Sequence, residues 1–335
     1  MTALLAGLAL VAAACGNGDS EDAGAGEGGG LSGEIVISGS STVEPISSAV
    51  GKAFSDGNPG ASVSVDGPGT GDGFQLFCEG STDISDASRA IKDEEAQACA
   101  DAGIEFIELK VGIDGIAVLT SPEGEGVADC LDFPALYALV GPESTGFARW
   151  SDAAPLAEEA GSAFADRFPD APLDITAPGE ESGTYDSFVE LALEDLAEER
   201  GQEAQTRPDY QSSGDDNVIV QGIEGSSSSF GWVGFAFFEA NREALKAFEV
   251  DGGDGCVEPT PDTIASGEYP LSRPLFIYVN AQRLADNPTL ASFVELYLNE
   301  GITKVSEVGY VQLEEGELAE TRTAFENREA GTREG

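Results

Sequence analysis

The sequence contains no histidine, and this absence excludes several kinds of catalytic and metal site. Ser-His-Asp and Cys-His nucleophilic sites need an imidazole, and so do the usual histidine-containing zinc sites. Histidine is also the most frequent general base at neutral pH. The commonest catalytic routes are therefore closed, although enzymes can use other groups.

Basic residues are scarce, with 16 Lys and Arg against 62 Asp and Glu and a formal net charge of −46 at pH 7. A nucleic-acid partner requires a basic surface that this balance does not supply. Docking on anionic lipid by charge is excluded for the same reason. So large an acidic excess can indicate disorder. Because 41% of the residues are hydrophobic and apolar runs recur, we expect instead a folded protein with the acidic surface typical of high salt.

The longest apolar run is N-terminal, MTALLAGLALVAAAC, and it is too short for a conventional transmembrane span. Residues 1–15 resemble a bacterial lipoprotein signal, in which Cys15 becomes the lipidated first residue of the mature protein. No Lys or Arg precedes the run, and Ala12 stands where such signals usually have Leu. An ordinary cleaved signal or a short apolar tail is the alternative. Residues 16–32 are rich in Gly, Ala and acids, which predicts a flexible tether.

Four cysteines follow Cys15, and an even number in an exported protein predicts disulfides. Four cysteines allow three pairings, of which we favour Cys78–Cys99 and Cys130–Cys256. Free buried thiols are the alternative. A metal site is disfavoured because no Cys-x-x-Cys spacing occurs.

Strand and helix patterns alternate through most of the chain, which predicts an α/β fold, and a length of 335 residues suggests two domains. EIVISG (34–39) is typical of a strand. Ser41 and Glu44 fit a capping box at the start of the helix that follows it. Residues 104–122 predict strand interrupted by a turn at Gly112.

Three turns share a design suited to an anion: GSST (39–42), GPGTG (67–71) and ESGT (181–184) each stand before a predicted helix. The first turn of a helix leaves backbone N–H groups unpaired and carries partial positive charge, so phosphate-like anions bind there. Ser and Thr also cap helices without binding any ligand. One such turn is weak evidence, but the three together predict an oxyanion site.

Charged residues stand beside or near such turns. Arg89 follows Ser88, and a guanidinium can hold an oxyanion with two hydrogen bonds. An exposed ion pair is the alternative. Asp215 and Asp216 lie in a polar turn, where a carboxylate repels an anion unless that anion has a proton to donate. Hydrogen phosphate has such a proton and sulfate at neutral pH has none. Turn formation or helix capping is the alternative for these acids.

The chain resembles the phosphate-binding lipoproteins of Pst-type ABC transporters over residues 33–315. The resemblance rests on five motifs in the family's order: ISGSSTVEPIS, DISDASRAI, GIDGIAVLTSP, APGEESGTYDSF and DDNVIVQGIEG…GFAFFEAN. It implies a two-lobed type II periplasmic-binding-protein fold of the α/β class, each lobe a mixed sheet flanked by helices. Phosphate would be buried in the cleft between the lobes.

The same resemblance implies that two crossover strands join the lobes, near Ala117–Thr120 and Phe276–Asn280. Lobe one would comprise residues 33–118 plus 278–335, and lobe two residues 119–277. Each favoured disulfide would then lie within one lobe, so neither would block a hinge motion.

A ligand set is carried over from the family residue by residue. It draws on the three turns and the Ser-Arg pair, and comprises Ser41, Thr42, Val43, Thr70, Ser88, Arg89, Ser182, Gly183 and Thr184. Some members of the family have Arg four residues before the Ser of the last turn, where this chain has Pro178. Arg89 is therefore expected to supply the cation. The acid that accepts the phosphate proton is left open among Glu180, Glu181, Asp215 and Asp216.

The resemblance implies a monomeric, extracytoplasmic solute-binding protein that is not an enzyme and that carries no metal ion or cofactor. It would be attached to the membrane only through the lipid on Cys15. It would capture inorganic phosphate and deliver it to ABC permease subunits. An exported phosphatase is one alternative, which turnover of a phosphomonoester would reveal. A phosphate sensor that uses the same cleft without transport is another, and the ligand could be a different tetrahedral oxyanion such as phosphonate, molybdate or sulfate.

Overall fold

The computed structural model describes residues 30–123, 128–180 and 182–333. The residues from Leu31 onward form one compact unit. Cys15, the signal, most of the tether and Glu181 lie outside the described residues. In the part of the chain that is described, no helix has both the length and the apolar character needed to cross a membrane.

Strands and helices alternate through the described chain, in agreement with the α/β class expected from the sequence. The strands are β1 (Ser32–Gly39), β2 (Gly60–Asp66), β3 (Ile84–Ala87), β4 (Phe106–Thr120), β5 (Cys130–Asp132), β6 (Asp174–Ala177), β7 (Gln211–Ser212), β8 (Ser229–Gly234), β9 (Lys246–Ala247), β10 (Glu249–Asp251), β11 (Cys256–Val257) and β12 (Ser272–Asn280).

Helices connect most of these strands, as is usual where parallel neighbours need a crossover. The α-helices are α1 (Glu44–Gly57), α2 (Thr70–Cys78), α3 (Asp93–Asp101), α4 (Phe133–Val140), α5 (Ala154–Glu159), α6 (Gly183–Phe188), α7 (Glu194–Glu199), α8 (Asp216–Glu224), α9 (Phe235–Ala240), α10 (Pro261–Ala265), α11 (Ala281–Asp286), α12 (Pro288–Asn299), α13 (Lys304–Glu307) and α14 (Glu315–Asn327). A π-helical segment, Val189–Leu193, joins α6 to α7.

The main sheet is mixed, with strand order β2-β1-β3-β12-β4-β8-β6-β7 and with β9 also paired to β4. Strand β1 is parallel to β2 and β3, whereas β12 runs antiparallel to both β3 and β4. A smaller sheet has the order β11-β10-β5. The mixed sheet confirms the fold class, and it makes β4 and β12 the central antiparallel pair.

The long strand β4 contributes to three hydrophobic clusters. Phe106 belongs to the cluster around α2, Leu109 to the cluster around α1 and α12, and Ile116 to the cluster that contains β6 and β8. In the last cluster the rings of Phe188 and Trp232 stack with centroids 4.1 Å apart. A strand buried along its whole length explains why residues 106–120 are almost continuously apolar.

The turn expected at Gly112 is wrong, because β4 continues through this residue. The pairing with β12 shifts there instead, since Leu275 opposes Gly112 and the next residue, Phe276, opposes Lys110. A glycine in a strand signals such a bulge as well as a turn. A β-carbon at Gly112 would lie 2.9 Å from Val305 Cγ1, so close packing also favours glycine at this position.

Both favoured disulfides are confirmed. Cys78, at the end of α2, is bonded to Cys99 in α3. Cys130 in β5 is bonded to Cys256 in β11 and so ties together the outer strands of the smaller sheet. Glu249 lies close to this second pair, but the two sulfurs bond each other and offer no thiolate to a metal ion.

Candidate functional site

The first anion-type turn is built by the backbone between β1 and α1. The amide of Ser40 donates to the carbonyl oxygen of Asp86 on β3 at 2.9 Å, and a β-carbon at Gly39 would lie only 2.0 Å from that oxygen. Only glycine fits this approach. The amides of Val43 and Glu44 both donate to the Ser40 carbonyl, so the helix begins at Glu44.

The capping box expected at this turn is wrong. The Ser41 hydroxyl does not cap α1 but donates to Asp186 Oδ2 at 2.9 Å, across 145 residues of sequence. Thr42 is buried, and its hydroxyl lies 3.1 Å from the hydroxyl of Ser187. The spacing of Ser41 and Glu44 predicts a cap, but in the folded chain the hydroxyls of Ser41 and Thr42 bond side chains of α6, which is distant in sequence.

Beneath this turn lies a buried acid, Asp86, which is 1% exposed. Its Oδ1 accepts from the Ser47 hydroxyl at 2.9 Å, while Oδ2 has no hydrogen-bond partner. Burial raises the pKa of this carboxyl to about 8; the Ser47 hydrogen bond opposes the increase and Glu44 adds to it. Burial thus favours the neutral, protonated form of Asp86.

The second turn brings Thr70 and Ser88 together, two residues of the expected ligand set. Thr70 is the first residue of α2, and its hydroxyl lies 3.1 Å from that of Ser88. The Ser88 amide also donates to the Thr70 hydroxyl at 3.3 Å. Both side chains are buried, so this hydroxyl pair is fixed in position.

Arg89 makes an ion pair and also lines a cavity. Its two terminal nitrogens donate to the two carboxylate oxygens of Glu95, each at 2.8 Å, and its guanidinium lies 5.6 Å from the ring centroid of Phe74. The Glu95 hydrogen bond raises the pKa of Arg89. The side chain is 34% exposed, so both the ion pair and a ligand contact remain compatible with its position.

The third turn faces the first. Ser182 caps α6 by accepting from the Thr184 amide at 3.2 Å. A β-carbon on Gly183 would lie 3.4 Å from the hydroxyl oxygen of Tyr310 and 3.7 Å from the carbonyl oxygen of Ser41. The Ser-Gly-Thr turn and the turn of Ser41, Thr42 and Val43 are thus close neighbours, although Gly183 comes 140 positions after Val43 in the sequence.

Sequence reasoning missed Arg273, which joins these turns. From β12 it donates through Nε to Asp114 at 3.4 Å, and through one terminal nitrogen to Thr42 at 3.0 Å and Ser187 at 2.7 Å. The other terminal nitrogen donates to Glu190. Arg273 and Asp114 are direct neighbours in the β12–β4 register, so the central strand pair supplies both charges.

Two carboxyl groups next to Arg273 and the first turn, those of Asp114 and Asp186, have raised pKa values. Burial raises the pKa of Asp114, and the charge of Arg273 opposes that increase. Burial also raises the pKa of Asp186, against the effect of the Ser41 hydrogen bond. Carboxyls with raised pKa values beside hydroxyls and a guanidinium are suited to sharing a proton with a bound anion.

The π-helical segment determines where Glu190 lies. Helix α6, this segment and α7 follow one another without a break from Gly183 to Glu199. A π turn contains one more residue than an α turn and occurs often at functional sites. Here it contains Glu190, which reaches Arg273.

One cavity of about 790 Å³ is lined by part of the expected ligand set, and neither the first nor the third turn belongs to its lining. Its lining includes Thr70, Ser88, Arg89 and Arg273. Acids form another part of its wall: Asp72, Glu190, Glu194, Asp195 and Glu198. Hydroxyl and guanidinium donors thus meet these acids in one space, and Lys92 adds a third basic side chain to its wall.

The acids expected to accept a ligand proton lie apart from this cavity lining or outside the described residues. Glu180 lines a different cavity, of about 500 Å³, with Tyr185 and Tyr210. Asp215 is exposed and caps α8 by accepting from the Asn217 amide at 3.0 Å, as the capping alternative has it. Burial, together with the charge of Asp215, raises the pKa of Asp216.

Weak signals for the missed residues do exist in the sequence. Arg273 opens the apolar run SRPLFIYVN in a chain with few basic residues, and Asp114 interrupts the apolar run GIDGIAV. A charged residue inside a strand that is otherwise buried needs a partner. That these two residues are each other's partners depends on the pairing of β4 with β12, which no local pattern reveals.

Comparison with known proteins gives consistent matches. A family model described as a PBP superfamily domain matches residues 21–300. Protein SphX of Synechocystis sp. is 40% identical over 301 residues, which covers 89% of this chain and 84% of that protein. The phosphate-binding protein PstS of Staphylococcus saprophyticus is 32% identical over 324 residues, covering 96% of this chain and 92% of the relative.

Solved structures also match. The crystal structure of a possible phosphate binding protein from Planctomyces limnophilus has a TM-score of 0.77 and 34% identity, covering 89% of this chain and 99% of that one. PstS from Borrelia burgdorferi, at 22% identity and a TM-score of 0.57, shares the fold; the match covers 84% of this chain and 99% of that one.

Proposed function

The chain belongs to the PBP superfamily, and from this membership we propose that it is a solute-binding protein that captures inorganic phosphate and delivers it to an ABC permease. The observation that carries the proposal is the cavity lined by Thr70, Ser88, Arg89 and Arg273. Hydroxyl and guanidinium donors there suit a tetrahedral oxyanion. Relatives named as phosphate-binding proteins support a binding role over an exported phosphatase.

The net charge of −46 does not prevent an anion from binding in such a cavity. Global charge acts on solubility and on the approach of the ligand, while local donors decide the stability of the complex. Screening limits the effect of surface acids to about 8 Å at physiological salt. A phosphate that has lost its water interacts mainly with the groups that touch it, and charge-assisted hydrogen bonds there are strong.

The ligand contacts that we propose are those expected from the sequence, with Arg273 added. Ser41, Thr42 and Val43 form one turn, and Ser182, Gly183 and Thr184 form the turn that faces it. Thr70, Ser88 and Arg89 lie in the cavity lining. As the acceptor of the ligand proton we propose Asp186, which accepts a hydrogen bond from Ser41 and lies two residues after Thr184. Asp216, whose pKa is raised by burial, is the second candidate.

We further propose the lobe division expected from the sequence, 33–118 plus 278–335 for lobe one and 119–277 for lobe two. The hydrophobic clusters change between Val111 and Ile113 on β4, and between Leu271, just before β12, and Leu275 on β12. This change supports crossovers in the central strands, several residues before the bounds given by the sequence on each strand. Closure of two such lobes around a ligand is a hinge motion driven by contacts made only in the closed state.

For location we propose the extracytoplasmic side of the membrane, with a lipid on Cys15 as the anchor. The tether ends at residue 30 rather than at 32, because Leu31 packs against the core and Ser32 begins β1. Replacement of Cys15 by Ala is then expected to release the protein from the membrane fraction. A variant that remains in the membrane fraction, or a wild-type protein without lipid on Cys15, would contradict the anchor. Neither result would affect the proposed ligand.

Calorimetric titration of the protein, freed of ligand and held in high salt, tests the proposed function. Phosphate is expected to bind tightly and sulfate weakly, because only phosphate brings a proton to an accepting carboxylate. Equal binding of both would indicate a general oxyanion site. Binding of neither would contradict the assigned ligand, and release of phosphate from a phosphomonoester would favour the phosphatase.

A further inference from the structure

Arg273 has four side-chain partners among the described residues, and they differ in exposure. Asp114, Thr42 and Ser187 are buried, with at most 1% of each residue exposed. The side chain of Glu190 is 46% exposed, while that of Arg273 is 10% exposed. Three buried partners thus fix the guanidinium, and the exposed carboxylate of Glu190 covers its remaining terminal nitrogen on the cavity side.

We propose that Glu190 is a tethered anion that occupies Arg273 in the empty protein and is displaced when phosphate enters. The length and charge of this side chain would then determine how tightly the site holds phosphate. This inference rests on the proposed function, because it concerns the same cavity.

The chemistry of the exchange follows from the two anions. A carboxylate and a phosphate present similar anionic oxygens to a guanidinium, so both compete for the same N–H groups. Exposed ion pairs are held weakly, which makes Glu190 the partner that is most easily displaced. Asp114 is buried, and its removal from Arg273 would leave an unpaired charge in the interior.

The surroundings of Glu190 also favour exchange. The π-helical segment contains both Glu190 and Leu191, and both residues line the cavity. Because nearly half of its side chain already contacts water, the displaced carboxylate can be hydrated at once. Burial is the main cause of the raised pKa values of Glu194, Asp114 and Asp186, and the charge of Glu190 raises all three further.

The experiment compares three variants of the full chain by phosphate titration in about 1 M salt, where the Debye length is about 3 Å and long-range charge effects are small. Glu190→Gln removes the competing carboxylate and is expected to tighten binding about three- to fivefold, the scale of an exposed ion pair. Glu190→Asp keeps the charge but shortens its reach, and should fall between wild type and Glu190→Gln. Glu194→Gln is the matched control, because it removes the same charge from the same wall.

Thermal unfolding without phosphate accompanies each titration, so that a loss of folding is seen separately. Equal tightening in Glu190→Gln and Glu194→Gln would overturn the inference, because the effect would then come from charge alone. Weaker binding in a folded Glu190→Gln variant would also overturn it, since Glu190 would then support Arg273 as a binding group. If wild type and all variants fail to bind phosphate, the proposed function fails and this inference fails with it.

Discussion

The hydroxyl groups of Thr42 and Ser187 lie 3.1 Å apart although 145 residues separate them in the sequence. Thr42 precedes α1 and Ser187 lies in α6, and one terminal nitrogen of Arg273 donates to both hydroxyls. These three residues tie together the first turn, the third turn and the central strand β12. A change at any of them is therefore expected to affect ligand binding through the relative position of the two turns.

Replacement of Arg89 by Ala is expected to weaken phosphate binding by at least about 1.5 kcal/mol, the lower end for a hydrogen bond to a charged group. This corresponds to about a tenfold rise in Kd. Arg149→Ala is the matched control, because Arg149 also pairs with an acid, Asp170, and is likewise partly exposed. Unchanged affinity in Arg89→Ala by calorimetry would remove this residue from the ligand set.

Replacement of Asp186 by Asn is expected to reduce the preference for phosphate over sulfate. A carboxylate accepts the proton of hydrogen phosphate, whereas an amide can donate equally to either anion. The ratio of the two dissociation constants, measured at pH 7, reports the change. Asp215→Asn is the control, since Asp215 caps α8. If Asp186→Asn keeps the preference for phosphate over sulfate and Asp216→Asn loses it, the proton acceptor is Asp216 and not Asp186.

The stability of the protein is expected to depend on pH through Asp86. Its pKa is about 8 in the folded protein and 3.8 in the reference state, so the folded protein keeps a proton that the unfolded chain has lost. The free energy of unfolding therefore falls as pH rises from about 4 to about 8, by a few kcal/mol. Asp86→Asn should match wild type near pH 4 and be more stable at pH 8.

Denaturant unfolding of both proteins across this pH range gives the measurement, and the difference between them isolates Asp86 from the other acids. A difference that does not change with pH would show that Asp86 is ionised in the folded protein. Ser47→Ala removes the hydroxyl that bonds Oδ1, and it should raise the pKa of Asp86 further, because that hydrogen bond lowers it.

The rate constant for phosphate association is expected to fall as salt is removed. The equilibrium affinity is expected to fall by a smaller factor. The cavity wall contains Glu190, Glu194, Asp195 and Glu198, which repel an approaching dianion. The Debye length grows from about 3 Å at 1 M to about 10 Å at 0.1 M, so this repulsion reaches farther at low salt. Stopped-flow association rates at both concentrations provide the test, and equal rates would contradict it.

Local patterns predicted much of the fold but only part of the site. Glycine-hydroxyl turns before helices, and the pairs Cys78–Cys99 and Cys130–Cys256, were correctly anticipated. The bulge at Gly112 was mistaken for a turn because a lone glycine in an apolar run fits both. Ser41 was mistaken for a cap because its partner, Asp186, is distant in sequence.

Arg273 was missed for a related reason. Its partners come from β4, the first turn and α6, and only the packing of these elements brings them together. Spacing rules describe neighbours within a helix or strand, so they do not identify a side chain whose contacts are all long-range. The available signals were the scarcity of basic residues and the place of this arginine in an apolar run.

The π-helical segment divides the helix after Ser182 into two parts with separate tasks. The part before it presents Gly183 and Ser187 to the first turn, and the part after it carries Glu194 and Glu198 along the cavity wall. An extra residue in a helical turn rotates everything that follows relative to everything before it. A change of one residue in the length of this segment would therefore reposition Glu194 and Glu198 on the cavity wall while Gly183 and Ser187 keep their place beside the first turn.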